Sequence, residues 1–241
     1  MSDYQTIRTT TSGARAAMFD EGLRAHMNKV YGLMSVATLI TAGVAWAVGT
    51  SDAMLRAIYG TPLPWVVMFA PLIMVFAFGA VLNRMSAAGA QLYFYIYSAL
   101  MGLSLAFIFA VYTTGSIAST FLATAAGFAG MSLYGYTTQR DLSPLGGFLM
   151  MGLIGLIIAS LINIFVASSA ITFAISVVGV LIFAGLTAWD TQAIKSDYLG
   201  HAQMGDAEWL GKSAVMGALR LYLDFINLFM YLLRFMGNNR N

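Results

Sequence analysis

The sequence contains no cysteine, four prolines and two histidines in 241 residues, and only 9% of its residues are charged. Each shortage removes a class of protein. Without cysteine there is no disulfide framework, no thiolate zinc site and no thiol redox chemistry. A soluble domain carries about a quarter charged residues, so this chain is not one. The net charge of +2 is too small and too scattered for a nucleic-acid surface, and no nucleic-acid partner is expected. Both histidines, His26 and His201, lie outside the long apolar runs. No polar stretch is long enough to link two domains.

What remains is apolar: 59% of the residues are hydrophobic and the mean hydropathy is +0.78. A spanning helix needs about 20 mainly apolar residues, and runs of that kind fall at 30–48, 64–82, 91–112, 116–137, 145–166, 168–189 and 213–234. The expected fold is all-α, a polytopic bundle of seven transmembrane helices. The expected organisation is a tail with an amphipathic segment over 1–29, a transmembrane domain over 30–234 and a short tail over 235–241. The N-terminal stretch lacks the pattern of a secretory signal. Leu23, Met27 and Val30 share one side of a helix there, which either lies along the membrane surface or extends the first span.

Lysine and arginine accumulate on the cytoplasmic side of a membrane protein. With the N-terminus inside, the inner side holds Arg8, Arg15, Arg24, Lys29, Arg84, Arg140, Lys195 and Lys212, and the outer side holds Arg56, Arg234 and Arg240. That places the N-terminus in the cytoplasm and the C-terminus outside after seven crossings. The alternative, a last segment that re-enters and returns, brings Arg234 and Arg240 inside as well. Glycines within the runs (Gly127 and Gly130, Gly152 and Gly155, Gly179 and Gly185) are expected to let helix backbones approach. Tyr31, Trp65, Tyr112 and Trp189 read as interfacial belt residues.

The last run contains LYLDFINLF at 221–229, with Asp224 in its middle. An ionisable residue there is costly and marks a functional site by default. At 100° per residue, Arg220, Asp224, Asn227, Tyr231 and Arg234 fall on one side of the helix, joined by Ser213. Such a stripe faces protein or water, so the last helix is expected inside the bundle with Asn227 and Tyr231 lining a polar path. The carboxylate it has available is Asp190, at the end of the sixth run. Two carboxylates that meet repel and are expected to share a proton. The plainer reading is a pair of salt bridges, Asp224 with Arg220 and Asp190 with Arg84 or Lys195. By the limits of the runs the two acids differ in depth by about 15 Å. They meet only if the sixth helix continues inward or the seventh begins further out.

GLRAHMNKVYGLM at 22–34, AWDTQAIK at 188–195 and LYLDFINLFMYLLRFMG at 221–237 resemble the Bax inhibitor family, the transmembrane Bax-inhibitor-motif proteins, in the style of bacterial members. The resemblance covers all seven runs. It implies a seven-helix bundle with a central last helix and a pH-sensitive calcium leak governed by two aspartates, here Asp190 and Asp224. It also implies a latch arginine, whose place Arg84 occupies; Arg220, on the polar stripe of the last run, is the other charge partner expected from the residues themselves. Roles in calcium homeostasis and stress response belong to the same implication. Calcium takes six to eight oxygen ligands, and Asp190, Asp224 and Asn227 supply at most about five. Calcium binding is therefore expected to be weak and partly hydrated, as suits a permeant ion, and no tightly bound cofactor is expected. The expected surroundings are the lipid bilayer of a bacterial inner membrane.

Two other classes compete. An intramembrane aspartyl protease also needs two aspartates that share a proton, but the Gly-x-Gly-Asp motif and the Pro-Ala-Leu segment of those enzymes are missing. A membrane serine protease lacks its histidine within a run, and a retinal protein lacks a mid-helix lysine, Lys212 standing only at the border of the last run. No enzyme is expected. The stronger rival is a modulator that transports nothing and instead binds another membrane protein, such as a quality-control protease.

Overall fold

The computed structural model describes residues 3–201 and 206–240, with side chains from residue 20 onward. Among the described residues nine α-helices follow one another: α1 (Asp3–Gly49), α2 (Asp52–Tyr59), α3 (Leu63–Val81), α4 (Ala87–Leu105), α5 (Ile108–Val111), α6 (Thr114–Thr137), α7 (Ser143–Val166), α8 (Ser169–His201) and α9 (Ala207–Met236). A short 3-10 turn, Leu82–Arg84, ends α3. Seven of these stretches are long and apolar enough to cross a membrane, so the chain is a polytopic all-α membrane protein.

Local chemistry sets the helix starts. Ser86 accepts from the Gly89 amide at the head of α4, Thr113 from Ser116 at α6, and Asp206 from Glu208 at α9, each satisfying an amide the first turn leaves free. Pro64 and Pro144 occupy the first turns of α3 and α7, where a missing N–H costs nothing. Glu208 also accepts from the Ala87 amide at 2.6 Å, tying the start of α9 to that of α4.

The first, sixth and seventh spans extend furthest beyond the apolar runs. The helix of the first span, α1, passes residues 29–30 without a break. Leu23, Met27 and Val30 are buried in the core, so the amphipathic stretch extends the first span. His26 accordingly sits inside that span, buried against the Tyr198 ring at 4.9 Å. Its Nε2 has no hydrogen-bond partner among the described residues. Of the cations counted for orientation, Arg8 and Arg15 have side chains outside the described residues.

The last helix is the centre of the bundle. In its most apolar window 61% of α9 is buried, against 11% for α7 and 17% for α3, which form the rim. It runs 30 residues without interruption, about 45 Å at 1.5 Å per residue, so it crosses and does not turn back. Its end is pinned: the Thr113 amide donates to the Asn238 carbonyl and the Arg240 amide to that of Val111. On the opposite face from Asp224, Tyr222 is fully buried between Phe94 and Tyr97, its hydroxyl 2.7 Å from Thr41 Oγ1. The Thr41 proton goes to a backbone carbonyl, Ala37 or Ser98, so Tyr222 is the donor. This one tyrosine joins α1, α4 and α9.

Glycine does pack helices, at some of the expected positions and at others besides. A Cβ on Gly135 would stand 2.1 Å from the Ala188 carbonyl oxygen, and one on Gly102 would stand 2.5 Å from that of Thr41. These are backbone-to-backbone approaches of α6 to α8 and α4 to α1. Gly179, Gly185 and Gly152 lie under Tyr231, Leu149 and Ile182, whereas Gly127, Gly130 and Gly155 have nothing within 4 Å. The belt assignment also changes. Trp65 is exposed as expected, whereas Trp189 packs on Gly146, Tyr112 packs on Gly237, and the Tyr31 hydroxyl bonds that of Ser132.

Candidate functional site

The site lies in the seam between α8 and α9. These helices are antiparallel, and two contacts fix their register: Gly217 beneath Ile194, and Tyr231 over Gly179. Between them, Asp190 and Asp224 fall within about one helical turn of the same level. The depth difference expected from the apolar runs disappears because α8 continues helically to His201, eleven residues past Asp190. Both side chains are buried, with 8% exposure at Asp190 and 4% at Asp224. The two carboxyl groups face each other within hydrogen-bonding reach. Asp224 Oδ2 has no donor directed at it.

Neither salt bridge of the plainer reading forms. Arg220 approaches Asp197 instead, at 3.9 Å, each about half exposed, while its field still reaches both buried carboxyls. Lys195 donates to the Tyr136 carbonyl at 2.9 Å and lies over the Tyr136 ring. Arg84, the expected latch, is exposed at the end of its 3-10 turn and takes part in none of the ion pairs among the described residues. Its neighbour Asn83 lines a pocket of about 230 Å³ together with Asp197, Lys212 and Arg220. That pocket, a mouth on the side where α8 ends and α9 begins, is lined by both members of the Arg220–Asp197 pair and lies about one to two turns along the seam from the buried acids.

Toward the other end the seam is shut. The Asn227 amide donates to the Leu223 carbonyl of its own helix at 2.8 Å. The Tyr231 ring stacks on Phe183 at 5.7 Å and presses on Gly179. Both residues lie half buried on the Asp224 side of α9, as the stripe requires, and in this conformation they close the seam. Arg234 is exposed beyond them. Among the described residues no three His, Asp or Glu side chains gather to hold a metal ion. Asp190 and Asp224 bring two carboxyl groups together, fewer oxygens than the six to eight of a closed calcium cage.

Two groups of residues escaped the sequence reading. Asp197 follows Asp190 by seven residues, two turns along the same face of α8, a spacing visible in AWDTQAIKSD. The second is a buried chain of hydroxyls, Tyr31 to Ser132 to Thr191, which crosses from α1 through α6 to the neighbour of Asp190. Thr191 passes its proton to the Thr187 carbonyl. Single Ser and Thr residues within apolar helices gave no signal, because these side chains also satisfy themselves on their own backbone.

A polytopic membrane protein with a buried carboxyl pair between its last two helices is thereby defined. The chain belongs to the family described as "Inhibitor of apoptosis-promoting Bax1", whose sequence model matches residues 23–241. It is 46% identical over 243 residues to an uncharacterized protein of Rickettsia prowazekii, with all of both chains covered. It is also 46% identical over 221 residues to the inner membrane protein YbhL of Escherichia coli K12, covering 91% of this chain and 94% of that one. An uncharacterized protein of Borreliella burgdorferi is 46% identical over 214 residues, covering 88% and 91%.

Proposed function

We propose that the protein is a pH-sensitive calcium leak of the bacterial inner membrane, with its N-terminus in the cytoplasm, and that it acts in calcium homeostasis without enzymatic chemistry or a resident cofactor. The observation that carries this reading is the buried, facing pair Asp190 and Asp224, with one oxygen of Asp224 lacking a donor. A proton held between the carboxyls supplies that donor and cancels a repulsion that a low-dielectric interior makes large. Loss of the proton leaves two uncompensated charges, which water or a cation entering from the mouth relieves. Calcium is the cargo that suits a weak, hard-oxygen, partly hydrated site. Arg220, held at the mouth by Asp197, repels an entering cation and serves as the charge partner of the gate. Arg84, at the rim, takes the latch role only if α3 shifts to bring it to the acids.

Protonation of the pair favours the closed seam, so flux falls as pH falls. The test is calcium flux into proteoliposomes at pH 6, 7 and 8 for the native chain, Asp190→Asn and Asp224→Asn. The expected result is a flux that rises several-fold with pH in the native protein and stays flat in both variants. Folded protein that passes no calcium at any pH would overturn the leak and leave the carboxyl pair as part of a modulator's packing.

A further inference from the structure

A cleft of about 930 Å³ separates α1 from α6, with Phe225 of α9 at its floor. This volume lies at the upper end of the ~300–1,000 Å³ that small-molecule sites occupy. Its walls run in opposite chain directions, yet their polar ends coincide. Asp20, Arg24 and Asn28 of α1 meet Tyr136 of α6 at one end, whereas Leu39 and Phe121 meet at the other. From Asn28 to Leu39 the cleft descends about 16 Å at 1.5 Å per residue. That matches one leaflet, half of a hydrocarbon core about 30 Å thick. Beyond Leu39 the gap continues toward Ala45 and Ile117 but narrows to about 70 Å³, too small to seat the side chains of a transmembrane segment or a second copy of the chain through the whole thickness.

The charges at the mouth complete the description. Arg24 and Asp20 lie one turn apart, bonded at 2.9 Å, and their side chains are 70% and 58% exposed. They present a cation and an anion side by side to the interface. A purely anionic headgroup would meet Asp20, whereas a headgroup with a phosphate and an ammonium finds a partner for each.

We propose that the α1–α6 cleft is a phospholipid site for the leaflet on the N-terminal side, selecting a headgroup that carries both phosphate and ammonium. The phosphate lies on Arg24, the ammonium on Asp20, and an acyl chain runs between Phe121, Phe128 and Phe225. The site is independent of the carboxyl pair and stands or falls without it.

Native mass spectrometry of the full chain released from a mild detergent tests it, after delipidation and titration with phosphatidylethanolamine or phosphatidylglycerol. One phosphatidylethanolamine per chain is expected, retained several-fold better than phosphatidylglycerol. Ala125→Trp, which fills the cleft, should lose it, while Ile157→Trp on the exposed face of α7 should keep it. Arg24→Glu changes an exposed side chain, so the protein should fold, and retention should drop several-fold. Equal retention of the two lipids, no stoichiometric lipid, lipid that survives both Ala125→Trp and Arg24→Glu, or a second copy of the chain found in its place would each overturn the proposal.

Discussion

At the scale of single residues, the same side-chain type plays opposite parts according to what surrounds it. Asp190 and Asp224 are buried and face each other, while Asp197, two turns from Asp190, stands at the mouth and holds Arg220. An ion pair this exposed contributes about 0–1 kcal/mol, so its importance lies in where it places charge. Arg220→Gln is expected to change thermal stability by less than about 1 kcal/mol, to shift the rise of calcium flux to higher pH, because a cation that favours the charged carboxyls is lost, and to raise the flux reached above that rise, because the path loses a cation. Arg84→Gln is expected to have the smaller effect on flux, since Arg84 lies exposed and outside the ion pairs. Comparing the two in one proteoliposome assay separates a gate built on α9 from a latch at the end of α3. Asp224 was legible as a site because a carboxylate interrupts an apolar run. Asp197 was not, because an acid in a polar connection looks like ordinary surface.

At the scale of helices, close approach decides which positions tolerate substitution. Above Gly135 the nearest atoms are the Ala188 backbone, which has no rotamer by which to give way. Gly135→Ala is expected to cost about 1–3 kcal/mol, as overpacking of a tight contact does. Gly127→Ala meets open space on the same helix and should be neutral, or stabilising by up to ~1 kcal/mol through helix propensity. Unfolding of the two variants in mixed micelles measures both effects. Their contrast explains why presence within an apolar run selected the wrong glycines in α6: a run shows that a residue is in a spanning helix, but not which face of it meets another backbone. The central place of α9 was legible, because five polar residues on one side of an apolar helix have nowhere to go but inward or to water.

At the scale of the whole molecule, the unbroken α9 and its tail bonded beside Thr113 set the number of crossings at seven. Residues 137–143 and residue 206 then lie on one side of the membrane, and the tail after Met236 lies on the other. The chain has no cysteine of its own, so single replacements report topology without background. Arg140→Cys should be protected from a membrane-impermeant thiol reagent added to intact cells, and Asn239→Cys should react. The reverse pattern would invert the orientation, and the same pattern at both positions would mean an even number of crossings.

The sequence by itself determined the solvent of this protein, the number and order of its spans, the central last helix and the presence of an acid in each of the last two spans. All of these follow from composition and period, which act over one helix at a time. Only the tertiary structure decided that the acids meet, because the register of α8 against α9 depends on contacts such as Gly179 beneath Tyr231. It also decided that Arg220 turns to Asp197 while Arg84 stays outside, and that α1 and α6 part to leave an amphipathic cleft. Distances between helices are set by side chains from several segments at once, and no single stretch of sequence contains that information.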